Sequence, residues 1–228
     1  MPGPTCDLST CFLCNSCISE WKEAVALKKK TILFKKGKQV FNEGEPVRGI
    51  FFVYSGAVKI YKQWFNTKEL ILRFAKAGDI LGHRGLGGDD TYPVSATTLE
   101  ETKLCFISSE FLEASLKTNP EFTYKLMQFY ASELQKAEKR MRDLAHMEVK
   151  GRIADALLQM ANVFGHHENK FIAAIITRQD ISSYAGTTYE TVYKFLTELT
   201  RKKIISTDGK KIKINKPELL KKFIVHQS

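Results

Sequence analysis

From Glu121 to His146 the chain runs without a glycine or a proline, and strong helix formers dominate it. Within this stretch Met127, Tyr130, Leu134, Ala137, Met141 and Leu144 recur at intervals of 3, 4, 3, 4 and 3 residues. That is the period of an a/d heptad seam about three heptads long, and such a seam needs an apolar partner along its whole length. The competing arrangement is an amphipathic helix lying on its own domain. Leu126 and Phe129 flank the seam and can serve that second contact, which leaves the heptad face for a second copy of the chain. A parallel homodimer through this helix is the expectation.

The helix also divides the chain, because different rules govern what lies on either side. Residues 31–108 read as short strands: Ile50–Tyr54, Val58–Tyr61, Leu70–Phe74 and Leu104–Ile107 are apolar-rich runs. Gly37, Gly44, Gly56, Gly78, Gly82, Gly85 and the Gly87-Gly88 pair stand between them. Strands of this length with glycine turns at this spacing indicate a barrel or sandwich. No glycine opens a helix after a strand in the G-x-G-x-x-G sense, so a dinucleotide fold has no support.

Beyond the helix, Ile153, Ala156, Leu157, Met160 and Ala161 make a helical stripe that ends near Gly165. Thr177 is a good N-cap with Asp180 in the capping-box position, so a short helix opens there. Gly186 marks a turn, and Thr187 to Leu196 begins a second helix. Helix, glycine turn and helix at this spacing form a helix-turn-helix. Ile204–Thr207 and Lys210–Ile214 then flank Asp208-Gly209, a two-residue hairpin signal that adds a wing.

Charge follows the same division. Hydrophobic residues make up 43% and charged residues 26% of the 228, ordinary globular proportions that exclude wholesale disorder. The net charge is +10, yet residues 149–228 carry 14 of the 35 Lys and Arg and only 7 of the 25 Asp and Glu. A basic module on a more neutral body suits a polyanionic partner, double-stranded DNA above all. No apolar run reaches the ~18 residues of a membrane span, so no membrane partner is expected. The N-terminus has no secretory pattern, and a cytoplasmic location is expected.

Four of the five cysteines, Cys6, Cys11, Cys14 and Cys17, fall within twelve residues, and Cys105 stands alone. A cytosolic chain keeps such thiols reduced, which favours metal or redox chemistry over a disulfide framework.

At the level of motifs the chain resembles the Crp/Fnr regulators, named for the cyclic-AMP receptor protein and the fumarate–nitrate reduction regulator. Val149-Lys150-Gly151-Arg152-Ile153-Ala154, Thr177-Arg178-Gln179-Asp180-Ile181, Gly186, Glu190-Thr191-Val192 and the strands around Asp208-Gly209 resemble their DNA-binding domain. Phe34-x-x-Gly37, Phe41-x-x-Gly44-Glu45, Val53-Tyr54-Ser55-Gly56 and Ala77-Gly78-Asp79 resemble the turns of their β-roll. The resemblance implies an α+β chain. Residues 1–19 would be a cysteine-rich segment, and 20–119 a β-roll sensor (a double-stranded β-helix, cyclic-nucleotide-binding-like). Residues 120–147 would be the dimerisation helix, and 148–228 a winged helix-turn-helix DNA-binding domain. It further implies a homodimer on a palindromic operator, with RNA polymerase as a partner and allosteric control from the β-roll or the N-terminal cysteines.

In such a fold the second helix enters the major groove and its first residues meet base edges. Glu190 can accept from cytosine N4, which implies a G·C pair inside a TGA-like half-site. Lys194, where the family usually has arginine, can donate to guanine without the planar fork. Tyr189 and Tyr193 flank Glu190 where other members differ, so they bear on the outer bases. Arg178, Gln179, Thr188 and Thr191 suit phosphate contacts, which position the protein without specifying sequence.

For the effector, cyclic-AMP-binding members resemble one another in a Gly-Glu pair followed by Arg-Ser. Here His83 replaces the glutamate, Tyr92-Pro93 replaces Arg-Ser, and Ala137 and Glu138 stand where an adenine-facing Thr-Ser pair is expected. Arg84 alone offers a phosphate ligand, and dependence on cyclic AMP is not expected. Oxygen-sensing members bind a [4Fe–4S] cluster through N-terminal cysteines and one distant cysteine, and Cys105 lies where that ligand would be. The spacing of four, two and two residues departs from theirs. Three states stay open for Cys11, Cys14, Cys17 and Cys105, with Cys6 as a further donor: an iron–sulfur cluster, zinc, or reduced metal-free thiols. The apolar face Phe12, Leu13, Ile18 and Trp21 fits the last. His83, His146, His166, His167 and His226 sit in no catalytic motif, so no enzyme is expected. A stand-alone metal- or thiol-based redox protein is the alternative, and it would leave the heptad helix and the basic module without purpose.

Overall fold

The computed structural model describes residues 11–65 and 68–225. Cys6 and His226 lie outside the described residues. Two short helices, α1 (Phe12–Ser16) and α2 (Trp21–Lys28), precede the strands. The strands are β1 (Lys30–Phe34), β2 (Gln39–Phe41), β3 (Gly49–Ser55), β4 (Val58–Trp64), β5 (Lys68–Ala75), β6 (Ile80–Leu81), β7 (Ser95–Thr98) and β8 (Thr102–Ser108). Helices α3 (Ser109–Thr118), α4 (Pro120–His146), α5 (Val149–Phe164), α6 (Arg178–Ala185) and α7 (Tyr189–Arg201) follow. The hairpin β9 (Ile205–Asp208) and β10 (Lys211–Ile214) and helix α8 (Pro217–Val225) complete the chain.

The chain forms two compact units, one reaching Lys62 and resuming from Ala75 to Gln135, the other made of Gln63–Phe74 and Lys136 onward. In the first unit an antiparallel sheet runs β1-β8-β3-β6, and in a second sheet β7 lies between β2 and β4. The strands of the first sheet bury Ile50, Phe52, Ile80, Leu104 and Ile107, all at most 1% exposed. Glycine is required where backbones meet: a Cβ on Gly49 would fall 2.0 Å from the Ile107 carbonyl. The N-terminal segment closes this core from one side. Ile18 N–H donates to Asn119 Oδ1 at 3.0 Å, Trp21 Nε1 donates to Ser115 Oγ at 2.9 Å, and the indole stacks on Phe111.

Helix α4 spans 27 residues. Phe122, Leu126 and Glu133 are buried on one face, and Phe129 and Tyr130 are half-buried beside them. The exposed stripe is Tyr124, Met127, Ala131, Leu134, Glu138 and Met141, again at intervals of 3 and 4. The exposed stripe is therefore rotated from the expected a/d pattern. Met127, Leu134 and Met141 remain on it, 58–62% exposed, whereas Tyr130, Ala137 and Leu144 turn toward their own chain and are half-buried.

In the second unit α5 to α8 enclose Ile153, Leu157, Met160, Ile181, Val192, Leu199 and Leu220. Gly151 lets α5 approach α8, since a Cβ there would lie 2.7 Å from the Phe223 carbonyl. The wing pairs Lys211 with Asp208, so its two turn residues are Gly209 and Lys210, one position later than the Asp208-Gly209 turn the sequence suggests. Gly209 alone of the two has positive φ, the pattern of a turn that needs glycine only at its first central position.

Candidate nucleic-acid interface

Helix α6 opens on a closed capping box. Thr177 Oγ1 accepts from Asp180 N–H at 3.0 Å, and Asp180 Oδ2 accepts from Thr177 N–H at 3.0 Å. Gly186 then ends the helix in the left-handed region at φ 60°. Thr188 caps α7 by accepting from Thr191 N–H, which ties these two hydroxyls together at 3.0 Å. Along α7 the residues Val192, Phe195, Leu196 and Leu199 face the core, and Tyr189, Glu190, Tyr193, Lys194 and Thr197 face solvent. The helix thus presents both of its chemistry-bearing residues, Glu190 and Lys194, one turn apart on its outer face.

The Tyr189 and Tyr193 rings lie 6.5 Å apart and nearly parallel, and the Arg178 guanidinium sits 5.7 Å above the Tyr193 ring. A cleft of about 270 Å³ between this corner and the wing is lined by Thr177, Arg178, Gln179, Tyr189, Thr207 and Lys210, among others. Two cations, Arg178 and Lys210, give it a positive character.

The β-roll positions form a second group. Tyr92 is 4% exposed, its ring stacks on Phe41 at 4.1 Å, and its hydroxyl donates to the Gly49 carbonyl at 2.7 Å. The same ring closes over Gly82 and Gly85, and burial pushes its phenol pKa up. His83 is buried against Phe129 and Tyr130, and the Tyr130 hydroxyl donates to the His83 carbonyl. Arg84 is not a loose surface residue, since it lies 3.6 Å from the buried Glu133 carboxylate. Of the α4 positions assigned to this pocket, Ala137 is half-buried and Glu138 faces solvent.

Cys11, Cys14, Cys17 and Cys105 share one buried cluster with Leu13, Phe52 and Phe122, each thiol 5–8% exposed. Cys105 enters it from the middle of β8, opposite Thr31 of β1 and Phe52 of β3. Among the described residues no three His, Cys, Asp or Glu side chains converge into a metal-ligand set. Burial, reinforced by Cys11, pushes the Cys17 thiol up to about 11. In this arrangement the four described thiols lie buried among apolar side chains.

Residues 31–119 match the family model described as a cyclic nucleotide-binding domain, and residues 151–223 match the Crp-like helix-turn-helix domain. The chain is 31% identical over 183 residues to the transcriptional activator protein anr of Pseudomonas aeruginosa, covering 79% of this chain and 74% of that one. The chain belongs to the Crp/Fnr family of transcription regulators. The anaerobic regulatory protein of Bacillus subtilis is 28% identical over 213 residues, covering 92% of this chain and 88% of its own. Among solved structures, FixK2 from Bradyrhizobium japonicum superposes with a TM-score of 0.77 at 25% identity, covering 88% of this chain and 99% of that one. As a member of the family the protein is a DNA-binding regulator whose relatives act as dimers and are not enzymes.

Two arginines complete the Crp/Fnr architecture of the second unit. Arg152, already part of the family motif, donates to the Met147 carbonyl at 2.6 Å and the Ala185 carbonyl at 2.8 Å. It thereby joins the end of α4 to the helix-turn-helix corner. Arg140 was not visible in the sequence. Its guanidinium lies 3.8 Å above the Tyr184 ring and donates to the carbonyls of Ile71, at 2.8 Å, and Tyr184. Phe74 stacks on the same tyrosine at 5.3 Å and meets Phe164 edge-on. Burial pulls the Arg140 pKa down and pushes the nearby Asp155 carboxyl up. No sequence motif signals this cluster, because its members come from β5, α4, α5 and α6.

Proposed function

We propose that the protein is a cytoplasmic homodimer that binds a palindromic operator, with α7 of each copy in one major groove. The observation that carries this reading is the outer face of α7, where Glu190 and Lys194 stand exposed in the first two turns after the Thr188 cap. Glu190 accepts a hydrogen bond from cytosine N4, and Lys194 donates to a neighbouring guanine. Arg178, Gln179, Thr188 and Thr191 hold phosphates on either side of that contact, with Tyr189 and Tyr193 against the outer bases. Two copies pair through the Met127–Leu134–Met141 stripe, and the complex presents itself to RNA polymerase. Selection from random duplexes with the full-length protein tests this: it should enrich an inverted repeat with half-sites about one helical turn apart. Enrichment of unrelated sequences would overturn it.

Cyclic AMP is not the signal in this reading, although one Mycobacterium tuberculosis relative, 28% identical, is named as cAMP-activated. The supporting observation is that Tyr92 fills the space over Gly82 and Gly85 and that Arg84 is committed to Glu133. Added cyclic AMP should leave operator binding unchanged, and a gain in affinity would contradict the assignment. The signal instead enters at the cysteine cluster. Four soft thiols gathered beside Phe122 and Leu126 of α4 support that choice. Anaerobic purification with iron, sulfide and zinc analysis separates the states. Stoichiometric iron and sulfide would require the cluster to rearrange around a [4Fe–4S] centre, zinc alone would make the site structural, and metal-free protein leaves thiol redox chemistry as the input.

A further inference from the structure

The outer face of α7 carries more aromatic surface than a helix in water should. Tyr189 and Tyr193 are 42% and 51% exposed, their rings lie 6.5 Å apart at 18°, and no phenol hydroxyl of the pair has a partner among the described residues. Neither ring contributes to the core, which is filled from the opposite face by Val192, Phe195, Leu196 and Leu199. The pair is nevertheless held in place. Arg178 covers Tyr193 from the start of α6, and Tyr189 forms a wall of the cleft beneath the wing. The surroundings are basic, with Arg178, Lys194 and Lys210 at the rim, so the surface is complementary to a polyanion and not to a second apolar face.

Resting on the reading that α7 lies in the major groove, we propose that Tyr189 and Tyr193 form a thymine-reading plate. The major groove displays one apolar group, the C5-methyl of thymine, and it is displayed by no other base. A stacked, exposed pair of rings flanking Glu190 along the helix is suited to cover such methyls at positions adjoining the base pair that Glu190 reads. Each ring then removes a methyl from water in the complex, and selectivity against the bare pyrimidine edge follows. Arg178 acts here as a positioning residue as well as a phosphate ligand, since its cation fixes the Tyr193 ring while its charge faces the backbone.

The test uses the full-length protein and the operator obtained by selection. Each thymine is replaced in turn by uracil, which deletes the methyl and leaves every hydrogen-bonding group unchanged. The expected result is a loss of about fourfold in affinity at one or two thymines per half-site, the worth of one buried methyl-sized group. That sensitivity should vanish in Tyr189→Ala or Tyr193→Ala and survive in Tyr189→Phe and Tyr193→Phe, which keep the ring. Equal affinity for thymine and uracil throughout, or sensitivity that persists in both alanine variants, would overturn the plate while leaving DNA binding intact. Failure to select any operator would strike the DNA reading itself and the plate with it.

Discussion

Glu190 and Glu198 share a helix and serve opposite ends. Glu190 is exposed near the start of α7, free to meet a base, and Glu190→Ala should relax preference at one base pair of each half-site by about tenfold. Binding to operators varied at single positions measures this; a uniform loss across all sequences would contradict the readout role. Glu198 is tied to Lys150 at 2.8 Å and Lys202 at 2.7 Å, and these bonds pull its carboxyl down to about 2. A depressed carboxylate stabilises the fold above its ordinary value of 4.5 and loses that contribution as pH falls toward 2. Because the pair is solvent-screened, Glu198→Gln should cost under about 1 kcal/mol at pH 7 and flatten the acid limb of an unfolding titration. The exposed placement of Glu190 and Lys194 on α7 was legible in the sequence because the caps and turn that orient them are local. Arg140 was not, because the carbonyls it bonds lie 69 and 44 residues away.

At the scale of elements, α4 shows what periodicity can and cannot decide. The pattern located the helix within a residue at each end, since proline, helix formers and the absence of glycine act locally. Of the residues it assigned to a seam, Met127, Leu134 and Met141 are exposed, whereas Tyr130, which suits either face, packs against His83 and Phe129. Met141→Glu sets two carboxylates against each other across a two-fold seam and should convert a dimer to monomer in sedimentation velocity. An unchanged sedimentation coefficient would remove α4 as the dimer interface. The wing shows the same limit at smaller scale: Asp208-Gly209 announced a hairpin, and strand pairing moved its turn by one residue. The Arg140 cluster ties α4 to β5 and α6 within the second unit, and Arg140→Met removes its hydrogen bonds to the Ile71 and Tyr184 carbonyls. Urea unfolding should register a loss of about 1–3 kcal/mol, with Arg140→Lys intermediate because it keeps the charge without the stacking plane.

Over the whole molecule the architecture was the most legible feature. Glycine-punctuated strands, an uninterrupted helix and a capped helix pair with a wing each follow from short-range chemistry, and their order in the chain is that of the family. The sensing chemistry was the least legible, since cysteine spacing alone does not say whether thiols converge on a metal or pack as hydrophobes. Here the four described thiols lie buried among apolar side chains. The basic surplus of the C-terminal third belongs with the same account, because neutralised phosphates release counterions and make affinity fall steeply with salt. The most direct test of the central claim is the affinity of the full-length protein for its selected operator against a scrambled duplex of equal length at physiological salt, with stoichiometry. The account predicts two chains per palindrome and a preference of at least about a thousandfold. One chain per duplex, or equal affinity for both sequences, would contradict it.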